Sequence, residues 1–256
     1  MTTPQTPGNL QYVYGIIRAD AQTPGDLTGL EDKPVSAVSH GSCAALVSEL
    51  EQVRPLGQRA DMMAHQRVLT AFVSANLVIL PFRFGGVLNS REAVEKELLA
   101  DNGERLAQIL DQLEGRHEVR VKGTYVEEAV LREVLTEEPQ IAELNERLRN
   151  VPEDAADAFH YDRIQLGELV AQAITRRREQ EGERLLDSLT SAVTTAEVVP
   201  HMPVREEDVL DASFLIEHDK LPEFEQAVEK LSQEHQERIR LRLIGPLPPY
   251  DFVPGE

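Results

Sequence analysis

The segment from Arg238 to Val253, Arg-Ile-Arg-Leu-Arg-Leu-Ile-Gly-Pro-Leu-Pro-Pro-Tyr-Asp-Phe-Val, constrains the fold more than any other part of the chain. Ile239, Leu241 and Leu243 alternate with Arg238, Arg240 and Arg242, the period of a strand with one face buried. Gly245-Pro246 predicts the end of that strand. Pro246, Pro248 and Pro249 have fixed φ and no N–H, so the chain is expected to leave the sheet extended, as polyproline II. Tyr250 and Phe252 follow, in a protein with only 5% aromatic residues. A stiff segment tipped with aromatics is expected to dock, on its own domain or on a partner.

A second segment makes the tail specific. Leu77-Val-Ile-Leu-Pro-Phe-Arg-Phe-Gly-Gly-Val-Leu88 predicts a strand over 77–80, a break at Pro81 and a second strand over 82–88. Gly85-Gly86 marks a bulge or a close approach of backbone. Pro81, Arg83, Phe84 and Gly85 form a Leu-Pro-x-Arg-Phe-Gly segment after a helix; Gly245, Pro246 and Pro249 belong to a Gly-Pro-x-Pro-Pro-Tyr-x-Phe close. Together these resemble the gas vesicle protein F/L family. Tyr12-Val-Tyr-Gly-Ile-Ile17 is similar to that family's opening strand, and Arg120-Val-Lys-Gly-Thr124 to its central one. The resemblance covers nearly the whole chain and departs from the family at Leu247, where an aromatic is expected.

A chain of 256 residues favours two domains over one. Periodicity predicts strands at Tyr12–Ile17, 35–39 and 43–48, the last two as a hairpin around His40-Gly41-Ser42. A helix over 61–76 places His65, Val68, Leu69, Phe72 and Val73 on one face. A helix capped by Ser90 follows, interrupted at Asn102-Gly103, then the stripe Leu106, Ile109, Leu110 and Leu113. Beyond Gly115 the order reads strand, helices, strand, strand, helix, strand. The expected fold is therefore α+β in two domains. Residues 1–115 form an N-terminal α+β domain. Residues 116–256 form a modified ferredoxin-like domain with extra helices, one of them long, and a Pro-rich tail. The first ten residues are expected to lack order.

The long helix, expected from Asp157 to about Ala192, is apolar at both ends. Arg176-Arg-Arg-Glu-Gln-Glu-Gly-Glu-Arg184 between them has no apolar residue. That middle must face solvent, meet a partner, or break at Gly182. In a ferredoxin-like order the last strand lies beside the first, which brings Arg240 and Arg242 toward Arg120 and Lys122. Asp211 and Glu217 could neutralise them; otherwise the face meets an acidic partner or the other domain.

The net charge of −19 argues against a nucleic-acid or anionic-membrane partner. The single Cys43 permits no internal disulfide and suits a reducing cytoplasm. No basic and apolar leader opens the sequence, and no apolar run approaches the ~20 residues of a bilayer span.

Seven histidines show no metal-binding spacing, so no metal or cofactor is expected. His65 reads as a hydrogen-bonded core residue. Cys43 near His40 reads as a buried thiol, because a hairpin supplies neither base nor oxyanion hole in an evident way. His160, Asp162, Arg163 and Glu168 are accounted for by a polar helix start. No enzyme activity is expected. The resemblance implies a cytoplasmic accessory protein of gas vesicle assembly, a minor vesicle component. Its partners would be the small hydrophobic shell protein, whose aggregation it limits during nucleation, and other gas vesicle accessory proteins. The partner-binding residues expected are Arg240, Arg242, Arg176, Arg177, Arg178, Tyr250 and Phe252. The alternative is a small-molecule-binding or catalytic α+β protein with a cleft near His65, Arg83 and His160.

Overall fold

The computed structural model describes residues 10–50, 55–151 and 159–254. The expectations for residues 1–9 and for a helix start at Asp157 lie outside these residues. The chain divides into two compact units. One comprises residues 1–118, 215–218 and 245–256; the other comprises 119–214 and 219–244. A division after residue 115 leaves the tail with the C-terminal domain, whereas its described residues, 245–254, group with the first unit. The tail's apolar residues Phe252 and Val253 pack on that unit's core.

In the first unit, β1 (Leu10–Arg18) lies between β3 (Cys43–Leu50) and a broken strand, β4 (Leu80–Pro81) and β5 (Val87–Leu88). β2 (Ser36–His40) pairs with β3 in the expected hairpin, so the order is β2-β3-β1-β4. The β1–β3 register shifts between Val13 and Gly15, a bulge at Tyr14. Its consequence is a change of parity. Tyr12, Tyr14 and Ile17 face one core; Val13 and Ile16 face the other.

Helix α1 (Arg59–Ser74) covers the Tyr12 face with Val68, Leu69 and Phe72. The opposite face is covered by a short helix α2 (Arg91–Ala93) running into a π-helical stretch, Val94–Ala100, and then by α3 (Gly103–Leu113). Ser90 caps α2 as expected, accepting the Ala93 N–H at 3.0 Å. The sheet is thus buried on both faces, which is why β1 reads as an almost continuous apolar run.

The two strands expected at 77–80 and 82–88 shrink to two-residue pieces. Phe82 N–H still donates to Tyr14 O and Val13 N–H to Gly86 O, both at 2.9 Å. Residues 83–85 leave the ladder between these bonds. Gly85 has φ of 97°, and a Cβ on Gly86 would lie 2.6 Å from the Phe82 ring. The paired glycines therefore serve a bulged loop, through backbone conformation and close approach respectively.

The second unit has the sheet order β7-β8-β6-β9. Its strands are β6 (Arg116–Tyr125), β7 (Glu197–Pro200), β8 (Asp208–Glu217) and β9 (Ile239–Leu247). Helices α4 (Glu127–Glu137), α5 (Pro139–Arg149) and α6 (His160–Ala192) come between β6 and β7, and α7 (Leu221–His235) between β8 and β9. Pro246 does not stop β9, which runs on to Leu247. The predicted polyproline II tail is instead two buried prolines, Pro248 and Pro249, and a 3₁₀ turn over Tyr250–Phe252.

Helix α6 does not break at Gly182, and Arg176, Glu179, Gln180, Glu183 and Arg184 of its polar middle face solvent as expected. Arg177 is only 20% exposed in its side chain and contacts Glu133, Glu137 and Glu138, at 3.0 to 3.6 Å. Arg176 lies 3.8 Å from Glu138, and Arg178 donates to Glu206 O. A Cβ at Gly182 would stand 2.4 Å from Val209 O, so the glycine lets the helix backbone touch β8. On an open helix face Gly→Ala adds up to ~1 kcal/mol of stability. Here Gly182→Ala is expected to destabilise by about 1–3 kcal/mol, read as a lower urea midpoint with an unchanged slope.

Candidate functional site

Two clusters collect the residues that the sequence singles out. The first centres on His65, on α1, which is 3% exposed. Its Nδ1 lies 2.8 Å from Tyr12 Oη and its Nε2 lies 2.9 Å from Tyr250 Oη. Tyr250 also donates to Phe82 O at 3.3 Å, and Gly85 N–H donates to Tyr12 Oη at 3.3 Å. One assignment of protons satisfies all four contacts. The Phe82 carbonyl can only accept, so Tyr250 O–H points to it, and Tyr250 Oη accepts from His65 Nε2–H. His65 Nδ1 then accepts from Tyr12 O–H, and Tyr12 Oη accepts from Gly85 N–H. The bonds leave the 82–85 loop at Gly85 and return to it at Phe82.

Phe84 and Tyr14 enclose the imidazole, Phe84 edge-on and Tyr14 stacked, each with centroids 5.7 Å away. Burial pushes the His65 pKa down to about 4, a hydrogen bond to Phe82 O partly opposing it. Burial likewise pushes Tyr250 up to about 12 and raises Tyr12. No member of the cluster is poised to exchange protons near neutrality. The arrangement holds a neutral imidazole as a structural hub.

The tail motif supplies this hub. Pro248 and Pro249 are buried, the 3₁₀ turn turns Tyr250 toward His65, and Asp251 N–H donates to Glu118 Oε2 at 3.2 Å. The sequence predicts a docked tail and does not identify His65 as its anchor. Its signal was a histidine on an apolar helix face, a position that requires polar partners.

The second cluster lies in the second unit. Asp211, 5% exposed, takes both oxygens to Arg120, at 2.6 and 2.9 Å, and meets Lys122 at 3.2 Å. Burial alone would raise its pKa, but the two cations outweigh burial and hold the carboxyl below its usual range. Neutralisation by Asp211 therefore occurs for Arg120 and Lys122. Arg240 and Arg242 are exposed on β9, at the edge of the sheet, with no ion-pair partner among the described residues. Arg238 meets Glu133 at 2.7 Å and Glu181 at 2.5 Å, and Tyr125 O–H donates to Glu181 at 2.6 Å. Of the other candidates, Cys43 is buried. His40 is a half-exposed side chain 3.7 Å from Glu95, and Asp162 meets Arg147 at 3.3 Å. Among the described residues no three His, Cys, Asp or Glu gather as a metal site, and no helix is long and apolar enough to cross a membrane.

The family model for gas vesicle synthesis protein GvpL/GvpF matches residues 10–254. The chain is 35% identical to gas vesicle protein F of Streptomyces sp. (strain CB03234), over 94% of this chain and 98% of that protein. Among solved structures, gas vesicle protein GvpF from Anabaena sp. PCC7120 aligns with a TM-score of 0.83 at 26% identity, covering 97% of this chain and all of the other. GvpF from Microcystis aeruginosa aligns with a TM-score of 0.74 at 25% identity, over 95% and 98% of the two chains. The mixed α+β fold is that of these structures.

The buried imidazole sets a pH dependence. The unfolded chain binds a proton at His65 near pH 6.5, whereas the folded chain resists it until about 4. Stability therefore falls as pH drops through this window, by up to about 3 kcal/mol from this group. Asp211 adds a loss at lower pH, as its carboxylate is protonated away from Arg120 and Lys122. Urea unfolding from pH 7.5 to 4 is expected to show the fall. His65→Gln should be less stable at pH 7 and show a flatter profile above pH 5.

Proposed function

We propose that this chain, which belongs to the GvpL/GvpF family of gas vesicle synthesis proteins, is an accessory protein of gas vesicle assembly. It binds the small hydrophobic shell protein and limits its aggregation during nucleation. The observation that carries the reading is the family match over residues 10–254, which takes in both units and the tail. The proposed site of action is the cytoplasm, in association with the vesicle, with other accessory proteins as further partners. The function is binding without catalysis: His65 is sequestered as a neutral hub, and Cys43 is buried. We read the second unit as a modified ferredoxin-like domain enlarged by α4–α6. Its strands, numbered in chain order, take the sheet order second, third, first, fourth, which supports that reading.

A shell subunit awaiting assembly exposes apolar surface, and a protein that shields it needs an apolar surface with some means of orientation. Edge strand β9 carries both. Leu241 and Leu243 are half-buried beside α7, and Arg240 and Arg242 alternate with them toward solvent. Arg176, Arg177 and Arg178 are the weaker candidates for the partner surface, because the fold already engages them. Tyr250 and Phe252 are engaged with the first unit, Tyr250 through His65 and Phe252 on its core, and Tyr250 keeps an exposed face.

Co-expression with the shell protein followed by pull-down tests the proposal; the shell protein is expected to co-purify and to stay soluble longer. Arg240→Glu with Arg242→Glu is expected to weaken capture about tenfold in low salt, with a smaller difference in high salt. Arg177→Glu is expected to act through lost stability instead. Cys43→Ser and His40→Ala should retain vesicle assembly. Failure of the folded parent to capture the shell protein, or loss of assembly in a stable Cys43→Ser variant, would contradict the reading.

A further inference from the structure

Among the tail and loop motif residues, Arg83 stands apart. Pro81 pairs with Gly15 in the sheet, Phe84 packs on His65, and the glycines shape the bulge. The Arg83 side chain is exposed and has no ion-pair partner among the described residues, although this chain carries 45 acidic residues. Elsewhere in the fold arginines meet carboxylates, as Arg18, Arg120, Arg147, Arg177 and Arg238 do. Arg105, on α3, is likewise exposed and without an ion-pair partner among the described residues.

These two arginines share one rim. Arg83 and Arg105 flank a pocket of about 110 Å³ in the first unit. Its walls are Ile16, Leu80, Leu98, Leu106, Ile109 and the tail's Val253, with Asn102 as a neutral polar group. The volume suits one bulky aliphatic or aromatic side chain. Burying such a group contributes roughly 1.5–3 kcal/mol. The charged residues of the lining are Arg83 and Arg105, opposite in sign to the protein's net charge of −19.

We propose that this pocket is a docking site for a protein partner that inserts a single large apolar side chain flanked by carboxylates. The apolar group fills the space between α3 and the tail, and the carboxylates meet Arg83 and Arg105. This is the pattern of a buried anchor with charged neighbours that orient it. The pocket shares no lining residue with β9 and does not depend on which partner β9 binds, so it can fail without the proposed function failing.

The test uses the full chain with labelled Leu and Ile methyl groups, titrated by NMR with the peptide Ac-Glu-Leu-Glu-NH₂. Ac-Lys-Leu-Lys-NH₂, Ac-Glu-Gly-Glu-NH₂ and sodium octanoate serve as comparison probes. The methyls of Leu98, Leu106 and Ile109 are expected to shift with the first peptide and not with the lysine or glycine peptides. Arg83→Glu with Arg105→Glu, two exposed sites, should fold normally, lose the Glu-Leu-Glu response about tenfold and gain one to Lys-Leu-Lys. Equal responses to both leucine peptides, or shifts remote from the pocket, would overturn the proposal. Saturation by octanoate without any peptide response would assign the pocket to a small amphiphile instead. Peptide binding seen only after removal of residues 255–256 would make this chain's own terminus the occupant. Either result overturns the assignment to a protein partner.

Discussion

His65 is the point at which four distant pieces of the first unit are joined. Strand β1 contributes Tyr12, α1 the imidazole itself, the 82–86 loop the Phe82 carbonyl and the Gly85 N–H, and the tail Tyr250. A buried imidazole needs partners at both nitrogens, because an unsatisfied polar group in an apolar setting costs more than a typical hydrogen bond gains. Each segment therefore has to arrive in register for the others to be satisfied. That requirement explains the broken strand: only a loop that leaves the β1 ladder between Phe82 and Gly86 can turn a carbonyl and an N–H toward the same cluster. It also explains why a tail of prolines ends in a tight turn instead of running on extended.

The second unit is organised by charge where the first is organised by neutral hydrogen bonds. Arg177 and Arg238 share Glu133, and Glu181 bridges Arg238 to Tyr125. The middle of α6 can therefore be wholly polar and still pack. Arg240 and Arg242, two residues apart on the edge strand, remain outside that network among the described residues. The two units nevertheless share a plan. In each, the strands counted in chain order lie second, third, first, fourth across the sheet. The first unit makes its first crossover with a loop and the second with three helices. The sequences show no repeat because the same order is met by different packing: β1 is buried on both faces, while β9 keeps a solvated arginine face.

Much of this was legible in the sequence. Apolar runs and alternation located β1, β2, β3 and β9, and helical stripes located α1 and α3. That the tail docks was legible, because aromatics are scarce and two of them follow a proline cluster; where it docks was not. What escaped had physical reasons. The 77–88 segment reads as strand from its side chains, but its backbone is diverted to serve His65, 17 residues away. The partners of Arg177 could not be chosen among 45 acidic residues without three-dimensional proximity. Gly182 reads as a helix breaker, whereas its role depends on Val209 O, a backbone atom from another strand. Pro246 stops a central strand, but β9 is an edge strand and tolerates it.

The central claim is that the tail and the 82–86 loop are held by a neutral, Nε2-protonated His65. Nitrogen-15 chemical shifts of the His65 ring, followed from pH 8 to pH 4, test it most directly. The account predicts a single tautomer with Nε2 protonated and Nδ1 bare. It should persist unchanged through pH 6 and begin to titrate only near pH 4, with Tyr250→Phe releasing it toward averaged tautomers. A ring that titrates near 6.5 in the parent protein, or that carries its proton on Nδ1, would contradict the account.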